Sequence, residues 1–451
     1  MGMGGAMPTP RALRALLTAA VLLALPAPAA ADPIPGDTTC ALRAAGTVLC
    51  VGANTTGVLG NGTGTARSLT PVAVSGLGDA VAVGVGGGHA CAVRSSGAVV
   101  CWGSNLAGEL GGAAGASSST PVTVVGISDA VGVAVGYMHT CALRAGGTVS
   151  CWGWNQFNQV TSGSSQSVPS PTPVNGLSDV VQLSAGPLHT CAVLRSGSVR
   201  CWGGNPFGEL GTGSGSPNQT AIPVTVAGLP DAVQVSAGYL HSCALLRAGG
   251  VRCWGSNVVG GLANSALSSS YAPATTTGLD KATAITAGFT QDCALIEGGT
   301  VKCWGWNGDA ADPISEQASV VRTPATVSGL TDAVSFPAMV SFNHMCAIRA
   351  GGTLSCWGRG EQGELGNGMT AWAAAPVTVS GLSSVTHLAV GDDHACAARS
   401  SGAPRCWGIG TDGKLGTGNQ LTADTPVAVS SLGAATRVAT GTEHSCALVG
   451  G

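Results

Sequence analysis

The chain is poor in charge and in aromatic rings. Only 9% of its 451 residues are charged and 4% are aromatic, against about 25% charged in an ordinary globular protein. Lysine occurs three times, at Lys281, Lys302 and Lys414; the arginines are scattered, and the net charge is −3. A polyanion is held by clustered cations that displace its counterions, so nucleic acid is excluded as a ligand. The apolar run Ala15 to Leu25 is too short to cross a bilayer and no later stretch is longer, so no transmembrane segment is expected. The sequence has no Gly-x-Ser-x-Gly elbow, no P-loop, no Cys-x-x-Cys spacing and no outstanding pair of carboxylates. Those absences argue against hydrolase, nucleotide-binding and glycosidase chemistry and against a zinc site. No catalytic residue, metal or cofactor is assigned.

What is present is hydrophobic material and glycine. Hydrophobic residues make up 45% of the chain and glycines number 71, so a core can be buried and many turns are expected. At the N-terminus Arg11 and Arg14 precede the apolar run, and small residues follow up to Ala29, Ala30 and Ala31. This is the layout of a signal peptide over 1–31, cleaved after Ala31. The mature protein, 32–451, is expected to be secreted, periplasmic or at the cell surface.

Cysteines fall at 40/50, 91/101, 141/151, 191/201, 243/253, 293/303, 346/356 and 396/406, with Cys446 left over. A period of about fifty residues overrides any domain count from length and points to a solenoid, propeller or array. In the unit around Cys141, "DAVGVAVG" alternates like a strand, "HTCAL" is a second, "TVSCWG" a third and "PVNGL" (173–177) a short fourth. Four antiparallel strands per unit make one propeller blade. A hairpin centred on Gly146 sets Leu143 opposite Val149 and Cys141 opposite Cys151, with Cβ atoms about 4.5–5.5 Å apart. An exported chain meets an oxidising compartment. Disulfides are therefore expected within each blade: Cys40 with Cys50, Cys91 with Cys101, Cys141 with Cys151, Cys191 with Cys201, Cys243 with Cys253, Cys293 with Cys303, Cys346 with Cys356, and Cys396 with Cys406. The rival reading is a row of metal sites built from His-x-Cys and the second cysteine.

"GYMHTCALRAGGTVSCWGWN", "GPLHTCAVLRSGSVRCWGGNPFGELG" and "FNHMCAIRAGGTLSCWGRGEQGELG" resemble the repeats of the regulator-of-chromosome-condensation family. The resemblance covers about 37–450 and implies a β-propeller, usually of seven blades. The family's eukaryotic founder exchanges nucleotide on a small nuclear GTPase, and a secreted bacterial relative inhibits β-lactamases. The paired cysteines look like the exported bacterial branch. This chain departs from the seven-blade norm. Its first and third strands occur eight times, and the strand carrying the first cysteine occurs nine times. Eight blades result, with seven as the alternative, the last closed by residues 38–52 beside 436–448. Cys40 or Cys446 then pairs with Cys50.

Seven histidines (His89, His139, His189, His241, His344, His394, His444) stand two places before a cysteine. A residue repeated in every blade is architecture; a hydrogen bond to a loop backbone is expected. His387, off this register, reads as an ordinary strand residue. Glu109, Glu209 and Glu364 of "GELG" and the "CWG" tryptophans are periodic as well, the latter packing between blades. Asp79, Asp129, Asp231 and Asp332 of "DAV" stand where aspartate bonds its own backbone. The residues that break the repeat lie in loops of one rim. We assign partner binding there to Tyr137, Met138, Trp154, Phe157, Phe207, Tyr239, Leu240, Phe289, Trp306 and Phe342. Aromatic anchors on a rigid rim suit a protein partner; a glycan or cell-envelope ligand that stacks on the rings is the alternative, and an enzyme in the propeller channel, which would need convergent off-repeat acids or a metal, is less favoured.

Overall fold

The computed structural model describes residues 38–449 except 43–45, 164, 289–290, 307–319, 337–343, 392, 431, 434 and 441–444. The expected signal peptide and its cleavage site lie outside the described residues.

Among those residues there are thirty-three strands and a single 3-10 turn, one strand more than eight four-stranded blades need. Seven sheets are complete blades, ordered first to fourth strand; a three-stranded and a two-stranded sheet remain. In blade 2 the strands are Ala130–Val135, His139–Arg144, Val149–Trp154 and Ser167–Pro173. The second and third pair with Cys141 opposite Cys151 and Leu143 opposite Val149. Gly147 turns this hairpin at φ +73°, a conformation that only glycine adopts without steric cost.

The fourth strand differs from expectation. It runs over Ser167–Pro173 and ends where "PVNGL" begins. This outermost strand is half-buried along most of its length, so no apolar alternation marks it, and its serines and prolines read as loop. Every blade carries a proline at the same place in this strand: Pro71, Pro121, Pro171, Pro223, Pro273, Pro324, Pro376 and Pro426. A strand edge with a missing N–H is a poor template for further pairing.

The core lies between blades. Eight clusters of buried residues each join the second and third strands of one blade to the next. One runs from Cys91, Val93, Val99 and Cys101 of blade 1 to Ala130, Ala142 and Trp152 of blade 2. Eight junctions for seven complete blades mean a closed ring with an eighth, composite blade. Its first strand is Ala435–Thr440, and its third and fourth are Thr47–Ala53 and Arg67–Gly78. The second position is occupied twice, by Thr38–Leu42 and by Ser445–Val449. Glycines of the loop between the third and fourth strands of blade 7 seat on the composite blade's fourth strand, and the Gly418 N–H donates to the Leu69 carbonyl at 2.9 Å. Gly62 and Gly368 make the same bond to Ser119 and Asp424 one blade on.

Candidate functional site: the loop rim

The rim is carried by a buried polar frame. Each "CWG" tryptophan is buried at the junction behind it, and Trp102, Trp152, Trp202, Trp254, Trp304 and Trp407 donate the indole N–H to a carbonyl of the preceding blade's loop. Trp102 bonds Val58, Trp152 bonds Glu109, Trp202 bonds Gln159 and Trp407 bonds Glu364, all at 2.7–2.9 Å. The expected interblade packing is thus accompanied by a directional bond. The same Glu109, Glu209 and Glu364 turn their carboxylates back onto their own loops, accepting the N–H of Ala107, Phe207 and Gln362. Burial raises the pKa of all three, Glu209 to about 7.

Four of the repeat histidines bond forward, to a side chain and not to a loop backbone. His89 Nε2 meets Thr140 Oγ1 at 2.8 Å, His139 meets Thr190 at 2.9 Å and His189 meets Ser242 at 2.8 Å. His241 reaches the Asp292 carboxylate at 3.0 Å. The expected backbone partner is corrected for a simple reason: the residue between His and Cys faces the preceding blade, and in these units it carries a hydroxyl or carboxylate. Burial holds His89 and His189 at about 3 and His139 at about 4, well below the ordinary imidazole value. Burial pushes His241 down too, but the Asp292 carboxylate, its hydrogen bond and Glu209 together raise it. Gly136 must be glycine here, since a Cβ would stand 2.4 Å from His139 Cε1.

Two further readings change. Asp79, Asp129, Asp231 and Asp332 pair with Arg94, Arg144, Arg247 and Arg349 at 2.6–2.9 Å; they are not spent on their own turns, because an arginine ends the adjacent second strand. His387 is no ordinary strand residue: its Nδ1 accepts the Val438 N–H at 3.2 Å across the closing junction. Gln182 and Gln234 do comparable work between inner strands, each accepting one backbone N–H and donating to the carbonyl of the same residue, Val235 and Ile285 respectively.

Seven disulfides join the pairs 91–101, 141–151, 191–201, 243–253, 293–303, 346–356 and 396–406, with Cα atoms 4.0–4.1 Å apart. That separation marks the closely spaced, non-hydrogen-bonded kind of strand pair. Cys50 is disulfide-bonded and Cys40 stands opposite it in register; the side chains of Cys40 and Cys446 lie outside the described residues. Among the described residues no three His, Cys, Asp or Glu side chains gather as metal ligands. Fourteen of the cysteines of the rival metal reading are joined to each other, and four of its histidines bond other side chains.

The two connections of the rim lie against each other: the Trp154 N–H donates to the Met138 carbonyl and the Ser104 N–H to the Gly88 carbonyl, both at 2.8 Å. Of the residues assigned to partner binding, Tyr137 and Phe207 are exposed, at 40% and 38%. Met138, Trp154, Phe157, Tyr239, Leu240 and Trp306 are half-buried, and Phe289 and Phe342 lie outside the described residues. Trp154 and Phe157 pack edge to face with centroids 5.4 Å apart. Exposed aliphatic residues of this rim were missed: Leu106 and Val258, each 59% exposed, with Pro206 beside Phe207. Their signal is periodic, each following the asparagine of "CWGxN". That asparagine is itself buried and ties down the loop. Asn105, Asn155, Asn205 and Asn257 accept the N–H five residues on and donate to carbonyls further along.

A second apolar set stands at the opposite end of the inner strands. Each first strand bulges after its opening residue, at Val81, Val131, Val181, Val233 and Val334 among others, and these valines are 41–57% exposed. No helix among the described residues is long and apolar enough to cross a membrane.

Blades, ring closure and repeated frame define a β-propeller. The RCC1-like domain model matches residues 34–338, more than half of the chain, and the regulator of chromosome condensation (RCC1) repeat matches 351–398 and 406–448. The chain belongs to the RCC1-like family. Among solved structures, human WBSCR16 is similar at 20% identity with TM-score 0.63, covering 79% of this chain and 100% of that one. Yeast RCC1 (Prp20), solved with Kap60 bound, is 21% identical with TM-score 0.58, covering 79% and 89%. Prp20p from Saccharomyces cerevisiae, described with its binding to Gsp1p and histones, is 19% identical with TM-score 0.59, covering 90% of both chains. No curated protein matches the sequence.

Proposed function

We propose that this protein is an exported, non-enzymatic propeller that binds another protein across its loop rim. The observation that carries the reading is the arc of exposed apolar side chains over four successive blades, Leu106, Tyr137, Pro206, Phe207 and Val258, on loops pinned by buried asparagines and tryptophans. Rigid apolar anchors lose little conformational freedom on binding, which favours a protein interface. The solved relatives described with ligands, Prp20 with Kap60, Gsp1p and histones, bind proteins. The N-terminal layout supports export.

The test compares two triple variants with the wild type. Leu106→Asp, Phe207→Asp and Val258→Asp charge the rim; Val131→Asp, Val181→Asp and Val233→Asp charge the far opening. Immobilised mature protein is offered to the medium and envelope fraction of the producing organism, and to a glycan array. The rim variant loses its protein partner and the other retains it. Retention by the rim variant, or glycan binding without protein capture, overturns the reading. Mass spectrometry of the exported chain should find Asp32 as its first residue.

A further inference from the structure

The composite blade holds one strand too many, and both candidates carry a cysteine. Seventeen cysteines are an odd number, so one has no partner within the chain. Thr38–Leu42 pairs with Thr47–Ala53 so that Cys40 stands opposite Cys50, as Cys91 stands opposite Cys101 and Cys396 opposite Cys406. Ser445–Val449 pairs with Ala435–Thr440 so that Cys446 stands opposite Ala439. That too is the standard register: Cys396 stands opposite Ala389 and Cys191 opposite Ser184. Each strand is therefore correctly placed as a second strand, one by its inner neighbour and the other by its outer neighbour. Ser445–Val449 lies against both Thr38–Leu42 and Thr47–Ala53, yet the two half-blades remain separate sheets.

We propose that Cys50 exchanges its disulfide partner between Cys40 and Cys446, so that the closing blade has two interchangeable second strands. The step is a thiol–disulfide exchange: the Cys446 thiolate attacks the Cys50 sulfur, the Cys446–Cys50 bond forms, and Cys40 leaves as a thiolate. One disulfide is consumed and one is made, so neither oxidant nor reductant is required, and the rate rises with the thiolate fraction of Cys446. The consequence is topological. A Cys40–Cys50 bond staples neighbours in sequence and leaves the ring joined at this point by non-covalent contacts alone. A Cys446–Cys50 bond ties the last strand to the third strand of the same blade, and the ring becomes covalently closed. Thr38–Leu42 is then released, with whatever lies N-terminal to it. The fourth strand does not take part, since its bonds to blade 7 hold it in place.

The measurement uses the wild-type chain, oxidised and unreduced. A sample is acid-quenched, alkylated in denaturant and digested; a second is first equilibrated at pH 8 in a reduced and oxidised glutathione buffer. The expected result is that the alkyl label, on Cys446 before equilibration, appears on Cys40 afterwards, in step with a peptide linking Cys446 to Cys50. That peptide disappears in Cys446→Ser, which confirms its assignment. If equilibration yields no Cys446–Cys50 peptide, whether Cys446 carries label or glutathione, the proposal is overturned.

Discussion

The interior junctions and the closing junction are built on the same plan with different materials. From blade 1 to blade 4 a buried histidine bonds the next blade's second strand, and the tryptophan of blades 2 to 4 fills the gap and bonds a loop carbonyl of the blade before. Between blade 7 and the composite blade the tryptophan position is Val51 and the "GELG" glutamate is Lys414, which is nevertheless buried. What is shared with the interior is the Gly418–Leu69 bond and, in place of the Gln182 and Gln234 bonds, His387 with Val438; the Arg67–Asp412 ion pair at 2.7 Å is added. Neighbouring interior blades are also joined by continuous chain, so a loosened contact cannot let them part. The composite blade draws its strands from the two ends of the sequence. Its contacts alone keep the ring shut, and the ion pair among them is half-exposed.

Acid should separate the two kinds of junction most. His89, His139 and His189 bind their protons near pH 3–4 when folded and near 6.5 when unfolded. The unfolded chain therefore holds more protons in that window, and stability is lost as pH falls through it, by up to about 2 kcal/mol per histidine at pH 5. Glu209, raised to about 7, has the opposite slope, losing stability as pH rises from its ordinary value. Glu109 and Glu364, also raised by burial, and His241, raised by Asp292, share that slope and offset part of the histidine effect. Thermal melts from pH 7 to 4.5 should show a falling midpoint, and His139→Gln should flatten the fall by about 2 kcal/mol at pH 5; an unchanged slope would detach the histidines from it.

Trp152→Ala should cost about 3–5 kcal/mol in urea unfolding, as for other large buried rings, whereas Val51→Ala at the same place in the composite blade should cost far less. Equal losses would mean that the closing junction is as tightly packed as the rest. Replacing both Cys141 and Cys151 by Ala should cost roughly 2–3 kcal/mol, the loop entropy of one short staple, and leave rim binding intact. His387→Ala should cost about 1 kcal/mol and raise hydrogen exchange at Val438 before any interior strand responds. Arg67→Ala should be the smallest, under about 1 kcal/mol, because an ion pair open to water is weak; it should vanish in high salt.

Much of this was legible without coordinates because the repeat supplies eight copies of each argument. The ten-residue spacing set Cys141 opposite Cys151, and nine first-cysteine strands against eight third strands implied a shared closing blade. The outer strands were misplaced, since residues half-buried along most of the strand carry no alternation. The partners of the histidines, of the "DAV" aspartates and of His387 were misread because they belong to other strands or to the next blade, some fifty residues on in the case of the histidines. Leu106 and Val258 were passed over because attention went to aromatic rings.

Local pattern determined the blade, its hairpin register, its staples and the number of copies, all of which depend on residues within one repeat. Only the tertiary structure decided which side chains cross from blade to blade and how far the rim residues project. It also set two strands, each in second-strand register, at the seam. Those features depend on the ring being closed, which brings together residues from opposite ends of the chain.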